Sequence, residues 1–558
     1  MARTCAYLVG ILLAASLSFS QPPPQPSPFQ PAPRDNAQAQ ATGTATIRGH
    51  VVAADSGQPL RKAQVRIFSP ELRENRLATA DGDGKYEFKE VKPGRYNMTA
   101  SKGSYVVLQY GQTRPFEPGK PLEILANQTI EKVDFALPRG GIITGRVLDE
   151  FGEPLPDTMV SAQRYQNING QRRLVPAGRN GMTNDIGEFR LFAVPPGQYY
   201  LTARLAPMGM MGDSDDRSGY APTYFPGTSN VAEAQRVTVG IGQTITDMNM
   251  SLTPSRMSRV TGTVVDSQGR PFTGGIMAFP KSESFMMFGP PAQIKPDGSF
   301  VVNSLTPGEW VLQTTGPGAA GGDYASVEVT INGDDVNGIR LVGVPPLTVS
   351  GRLVVDPAAA QALRPSAVRI MIAPVQSGIP MIGFTGPAAV NDDLSFEAKA
   401  RPGKMRVTLA GQTPGWAIRS VRYRGVDIID AGLELRAGEN VGDIEVELTN
   451  RLTDVSGVVT TPKGEPVKDY SVVVFPTDRE KWTPNSRYLK TARPDQDGRY
   501  KVNGLPPGEY RVIALDYVDS NEWNDPEFLD RVQSRATTFS INEGEMKSVD
   551  LRITTASS

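Results

Sequence analysis

The side chains that most often carry catalysis or hold transition metals are scarce in this chain. Its 558 residues include one histidine, His50, and one cysteine, Cys5. A zinc peptidase site needs at least two imidazole ligands, and a Ser-His-Asp triad would have to recruit His50. No Gly-x-Ser-x-Gly elbow, phosphate loop or dinucleotide fingerprint occurs in the sequence. We therefore predict a protein that is not an enzyme and has no cofactor and no metal, with His50 a structural or surface residue.

Carboxylates leave two alternatives open. An unrecognised pair of them would make a hydrolase, because one acts as general acid and the other as base or nucleophile. Clustered acids such as Asp81 with Asp83, and Asp495 with Asp497, would offer oxygen ligands to calcium. Aspartate also caps turn backbones, and no cluster matches the twelve-residue calcium loop. The turn role is the favoured interpretation, and calcium binding stays undecided.

Aromatic side chains on loops would suit a polysaccharide, because sugar rings stack on flat apolar faces while nearby polar groups fix their hydroxyls. The candidates that strand alternation explains least well are Trp482, Trp523, Trp416 and Tyr224. Trp523 lies in an acidic segment, 521–530, that is expected to form a short helical insertion. For each of them, packing within a loop or between domains is the alternative to ligand stacking. These four residues are the predicted ligand-binding set.

A pattern repeated five times, about every hundred residues, must position these side chains. Each copy has an acidic turn followed by an aromatic residue, and then Pro-Gly with a large residue two positions after the glycine. The first copy, for example, has Asp83-Gly84-Lys85-Tyr86 and Pro93-Gly94-Arg95-Tyr96. The acidic turn predicts a hairpin, and the strand after it alternates between inward and outward residues. The large residue two positions after the glycine of Pro-Gly is expected to point into the core. In the five copies it is Tyr96, Tyr199, Trp310, Met405 and Tyr510.

Each copy opens with a strand that carries a glycine at its centre. The five glycines are Gly49, Gly145, Gly262, Gly351 and Gly457. Glycine within a strand marks a close backbone approach or a bulge. In the last copy the second strand, 471–475, is apolar enough to be buried on both faces. About seven strands per copy, in antiparallel order with short turns, predict a two-sheet β-sandwich.

Three further stretches extend the pattern beyond a generic repeat: LPRGGIITGRV at 137–147, PTYFPGT at 222–228 and EWNDPEFL at 522–529. With them the chain resembles exported Acidobacteria-type proteins built from carboxypeptidase regulatory-like domains, a transthyretin-like β-sandwich related to carbohydrate-binding-like modules. The resemblance covers nearly all of residues 45–556. It implies an all-β fold, a tandem array of five prealbumin-like or Ig-like β-sandwich domains. It implies no peptidase activity, because the family name comes from an accessory domain beside a zinc peptidase.

The chain is expected to begin with a Sec-type signal peptide, residues 1–20, in which Arg3 precedes an apolar stretch. A disordered linker rich in proline and glutamine follows at 21–44. The predicted β-sandwiches then occupy residues 45–138, 139–254, 255–345, 346–450 and 451–558. Cys5 lies within the signal, so we expect a mature protein held by apolar cores without disulfides.

Net charge and hydropathy limit the classes of partner that the chain is expected to bind. Lys plus Arg number 58 against 59 Asp plus Glu, which argues against nucleic acid, and no later apolar run is long enough for a transmembrane anchor. We expect a periplasmic, outer-surface or extracellular protein. The favoured function is binding or adhesion at the cell envelope, with carbohydrate as ligand. A structural spacer or a module that binds an envelope protein through its sheet edges is the alternative, and the hydrolase comes third.

Overall fold

The computed structural model describes residues 43–556, except 71, 73, 115, 169, 206–217, 282–288, 290, 316–321, 376–385, 412 and 414. The predicted signal peptide and the predicted linker up to residue 42 lie outside the described residues. The described part of the chain consists mainly of strands, and its single α-helix is the seven-residue segment Pro526–Val532. No helix among these residues is long and apolar enough to cross a membrane.

Five hydrophobic cores follow one another along the chain, one for each copy of the repeat. The buried residues run from Ala45 to Leu137, Ile143 to Leu252, Val260 to Leu341, Leu347 to Leu448 and Val455 to Leu551. We call these units domains one to five. The fold is the predicted all-β tandem array of β-sandwich domains. The boundaries at residues 138, 254, 345 and 450 stay predictions.

The first sheet of each domain is built around its opening strand. The opening strands are Ala45–Ala53, Gly141–Leu148, Ser258–Val265, Leu347–Val355 and Asp454–Thr460. Each pairs antiparallel with the strand after the acidic turn, namely Lys85–Val91, Glu188–Val194, Ser299–Leu305, Ser395–Ala400 and Arg499–Asn503. Each also pairs in parallel with a late strand, namely Phe135–Leu137, Met250–Ser251, Val336–Val342, Val441–Thr449 and Leu551–Thr554. The prediction of purely antiparallel order was wrong for this pairing, because the chain crosses the sandwich and returns beside its opening strand in the same direction.

The second sheet of each domain is built around an antiparallel pair. These pairs are Gln64–Ser69 with Gly94–Ser101, Thr158–Ile168 with Gly197–Leu205, Gly275–Pro280 with Gly308–Thr315, Arg369–Pro374 with Gly403–Leu409, and Ser471–Pro476 with Gly508–Leu515. Outer strands include Glu74–Thr79, Gln171–Pro176, Arg236–Val239, Ser326–Ile331 and Thr537–Ile541. The large residue two positions after Pro-Gly is the third residue of the second strand of each pair and is buried in all five domains, which confirms the prediction.

The central glycines of the opening strands mark a close backbone approach, as predicted. A Cβ atom added at any of the five would lie within 2.2 Å of a carbonyl oxygen on the parallel segment beside it. For Gly49 this oxygen belongs to Val133, and for Gly457 it belongs to Val549. The same carbonyl oxygens accept hydrogen bonds from the hydroxyls of Tyr86 and Tyr500. Glycine and tyrosine of the repeat therefore act together at one crossing of the chain.

Domain five has a second core outside its sandwich. Every residue of Ser471–Pro476 is buried, which confirms the prediction for this strand. Its outer face packs against a cluster that includes Trp482 and residues of the helix Pro526–Val532. A 3-10 turn, Glu522–Asn524, precedes this helix, so the predicted helical insertion is also confirmed. Asp525 caps the helix, because its carboxylate accepts a hydrogen bond from the backbone N–H of Glu527 at 3.0 Å.

Domain five also contacts three other domains, two of which are distant in sequence. Ion pairs join it to domains one, two and four through Arg493 with Glu117, Asp519 with Arg164, and Arg487 with Asp430. The first pair is almost fully buried, since the side chains of Arg493 and Glu117 are 3% and 1% exposed. The first and last domains of the array therefore touch, and the clefts between domains are built from residues far apart in the chain.

Candidate functional site

Trp482 is a core residue, and its assignment to the ligand-binding set is corrected here. It is 5% exposed, and its ring meets that of Phe475 edge-on at 5.6 Å between centroids. The indole N–H donates to the carbonyl oxygen of Pro476 at 2.9 Å. The guanidinium of Arg479 lies 5.6 Å from the ring. Because the strand beneath it is apolar on both faces, Trp482 covers that strand and cannot stack on a ligand.

Trp523 lines a cleft of about 200 Å³ where domains two and five meet. The indole is half-buried and packs against the second core of domain five. The strand Thr158–Ile168 supplies the domain-two wall, and the other residues come from domain five. The lining residues are Asn167, Ile168, Asn485, Ser486, Leu489, Asn521, Trp523 and Asn524. Trp523 is therefore the one aromatic ring in a wall that is otherwise mostly amide.

Two of these amides have hydrogen-bonding capacity that the described residues do not use. Asn167 Oδ1 and Asn524 Oδ1 are buried and have no hydrogen-bond partner within the described part of the chain. A buried acceptor without a donor costs about 1–3 kcal/mol, so such atoms favour a ligand that carries hydroxyl donors. Burial raises the pKa of the neighbouring Glu522 carboxyl. The residues that line this cleft thus offer an aromatic surface together with amide donors and acceptors.

Tyr224 lines a larger cleft, of about 540 Å³, between domains two and three. The rings of Tyr165 and Trp310 also line it, together with Arg172 and Glu309. Trp310 belongs mainly to the core of domain three, as its place in the repeat predicts, and its indole N–H donates to Thr306 O at 2.9 Å. This cleft is larger than the Trp523 cleft and has more charged residues in its lining.

Trp416 lines a third cleft, of about 530 Å³, between domains four and five. It is half-buried against the core of domain four. Lys490 lines the same cleft, and burial lowers the pKa of its ammonium group. Arg487 and Asp430 close one side through a bidentate ion pair of 3.0 and 3.1 Å. Three of the four predicted residues thus line separate clefts between domains, and the structure does not bring them into one site.

His50 lies on the surface of domain one. Its Nδ1 is 3.2 Å from Asp134 Oδ1, and both side chains are about half exposed. No group of three or more His, Cys, Asp or Glu that could hold a metal ion occurs among the described residues. Asp81 and Asp495 cap their turns instead, each accepting two backbone N–H groups at 2.8–2.9 Å, as the turn interpretation predicted.

A set of arginines stacked on aromatic rings was missed by sequence reasoning. Arg164 lies over Phe116, Arg172 over Tyr165, Arg114 over Tyr517 and Arg236 over Tyr200. All eight residues line a cleft of about 520 Å³ where domains one, two and five meet. Two of the four pairs join different domains, and no local spacing in the sequence indicates such a pairing.

Comparison with known proteins supports the assignment of the fold. The family model described as the carboxypeptidase regulatory-like domain matches residues 46–138 and 454–551, which are domains one and five. No curated protein matches the sequence.

Several solved structures are similar to parts of the chain. The Bacillus anthracis TIE protein is 14% identical over 53% of this chain and 50% of its own, with a TM-score of 0.15. A streptococcal ancillary pilin is 15% identical over 54% of this chain and 99% of its own, with a TM-score of 0.20. A Pseudomonas aeruginosa protein to which carbohydrate binding has been attributed is 16% identical over 17% of this chain and 92% of its own, with a TM-score of 0.12. Matches at these scores do not determine the function of the chain.

Proposed function

We propose, from the premise that domains one and five are carboxypeptidase regulatory-like domains, that this chain is a non-enzymatic binding or adhesion protein of the cell envelope. Carbohydrate is the ligand class we propose, and Trp523 is the residue we place at its centre. Tyr224 and Trp416 are retained as further ligand-binding residues in their own clefts. The protein would reach the envelope through the signal-like residues 1–20, and its partner would be a polysaccharide or an envelope protein.

The observation that carries this proposal is the composition of the Trp523 cleft. Sugars are bound by an aromatic face that covers the apolar side of the ring and by amides that pair with the hydroxyls. Trp523 offers the first, and Asn167, Asn485, Asn521 and Asn524 offer the second. Asn167 and Asn524 each have a buried oxygen with no hydrogen-bond partner among the described residues. A ligand hydroxyl that donated to either oxygen would remove the free-energy cost of an unsatisfied acceptor.

Affinity electrophoresis tests the proposal. The full chain is run through gels containing plant and bacterial polysaccharides, beside Trp523→Ala and the control Phe151→Ala. Phe151 is an aromatic of domain two that is 83% exposed and lines none of the four clefts. We expect at least one polysaccharide to retard the wild type and Phe151→Ala, and we expect Trp523→Ala to migrate freely. Retardation by no polysaccharide would contradict a carbohydrate ligand and favour a protein partner.

A further inference from the structure

The cleft where domains one, two and five meet is unusually rich in arginine. Its charged lining residues are Arg114, Arg164, Arg172, Arg236 and Asp519. One carboxylate against four guanidinium groups leaves the cleft strongly positive, although the whole chain has a net charge of −1. Because the positive charge is confined to this cleft, it favours binding of an anionic group in the cleft. A nearly neutral protein as a whole would not attract polyanions in general.

Arg164 shows how an arginine of this cleft holds a carboxylate. Its guanidinium lies over the ring of Phe116, 3.5 Å from the ring centroid. Its Nη1 and Nη2 donate to the two carboxylate oxygens of Asp519, both at 2.7 Å. The guanidinium thus contacts an aromatic ring and also presents two N–H groups to one carboxylate, as arginine does at bidentate sites. The arrangement is complete within the protein because Asp519 supplies the anion.

Two further arginines of this cleft lie over aromatic rings, at longer distances, and have no carboxylate partner among the described residues. Arg172 lies 4.4 Å from the ring centroid of Tyr165, and Arg114 lies 5.5 Å from that of Tyr517. Both arginines are exposed, and neither forms an ion pair with a carboxylate within the described part of the chain. Each guanidinium therefore lies beside a ring and can donate to an anion from outside the protein.

We propose that this cleft binds the carboxylate groups of an acidic polysaccharide, with Arg172 and Arg114 each holding one uronate. The inference rests on the proposed function and names its ligand class. Tyr165 and Asn167 share one strand, and Asp519 and Asn521 share one loop, so this cleft adjoins the Trp523 cleft. A polymer chain can therefore place sugar rings in one cleft and carboxylates in the other.

A single-stranded nucleic acid fits this cleft less well than an acidic polysaccharide does. Single strands bind through bases stacked on open ring faces, along a groove that is basic throughout. Here the guanidiniums of Arg172 and Arg114 already occupy one face of Tyr165 and Tyr517. Each of the four rings that line this cleft has an arginine over one face.

The test measures binding of the full chain to polygalacturonate, to its fully methyl-esterified form and to single-stranded DNA. The ester keeps the sugar backbone and removes the charge. The variants are Arg172→Gln, Arg114→Gln and Arg172→Lys, with Arg340→Gln as the control, because Arg340 is an exposed arginine that lines none of the four clefts. We expect polygalacturonate to bind more tightly than the ester. Each glutamine variant should weaken that binding about tenfold, and lysine should restore only part of it.

Where polygalacturonate binds, three results would still overturn the inference. The first is equal binding of polygalacturonate and its ester, and the second is equal affinity of Arg172→Gln, Arg114→Gln and Arg340→Gln. The third is single-stranded DNA that binds as tightly as polygalacturonate and competes with it. Binding of neutral polysaccharides alone would refute the acidic ligand and leave the proposed function standing. Binding of no polysaccharide would refute both.

Discussion

At the residue scale, the glycine at the centre of each opening strand lets another segment of the chain pass close beside that strand. The parallel segment passes so close to Gly49 that its Val133 oxygen would lie 1.9 Å from an added Cβ. The repeated glycine and the buried aromatics after Pro-Gly were predictable, because their roles follow from backbone geometry and burial. The burial of Trp482 was not, because the apolar strand 471–475 indicates that its outer face is covered but does not indicate which residues cover it.

We expect Gly49→Ala to destabilise domain one by about 1–3 kcal/mol or more, because the methyl group must displace backbone atoms. Gly82→Ala is the matched control in the same domain, since nothing lies within 4 Å of its added Cβ. Hydrogen exchange of peptides from residues 45–137 measures the effect within the full chain. Equal protection in the two variants would contradict the close approach at Gly49.

At the scale of elements, the helix Pro526–Val532 sets the position of Trp523. It has seven residues and depends on Asp525 at its start and on packing into the second core. Its existence was predictable from the acidic segment with proline. The parallel pairing of the opening strand was not, because strand direction depends on a crossover whose path leaves no local signature.

We expect Asp525→Ala to destabilise this helix by about 1 kcal/mol, because the N–H of Glu527 loses its acceptor. Asp525→Asn should retain most of the stability, since the amide oxygen also caps helices. Exchange rates of the amides in 526–532 report the difference. A change of equal size in both variants would mean that the carboxylate acts through its charge and not through the cap.

At the scale of the whole molecule, one buried ion pair joins domains one and five. Arg493 donates to Glu117, and also to Asp469 Oδ1 at 2.6 Å. The partners Glu117 and Arg493 are 376 residues apart in sequence. Nothing local to either residue indicates the other, so the contact between domains, and with it the clefts, could not be predicted from sequence.

We expect Glu117→Gln to weaken the contact between domains one and five by about 3–5 kcal/mol, because it leaves the half-exposed Asp469 as the only carboxylate beside the buried Arg493. Limited proteolysis in the segment 111–120 should become faster, and the radius of gyration should rise. Glu87→Gln is the control, because Glu87 pairs with Arg48 on the surface, where such pairs contribute about 0–1 kcal/mol. Unchanged proteolysis in Glu117→Gln would show that other contacts hold the domains together.

The same contact should loosen in acid. Burial opposes ionisation of Asp469, but its hydrogen bond with Lys120 and the charges of Lys120 and Arg493 outweigh burial and lower its pKa. A carboxyl whose folded pKa is below its unfolded value, about 3.9, stabilises the contact above that value and loses this contribution as pH falls through the folded pKa. Proteolysis in 111–120 should therefore increase below about pH 4, and less so in Asp469→Asn. Identical acid responses would exclude Asp469 as the cause.

The central claim is that ligand binds at the junction of domains two and five, and hydrogen exchange with bound ligand tests it most directly. The full chain is compared with and without the polysaccharide that retards it most. We predict that protection increases in 163–172, 485–489 and 517–524, the segments that line the Trp523 cleft and the arginine-rich cleft. Protection that increases only elsewhere in the chain, for example around Trp416, would contradict the claim.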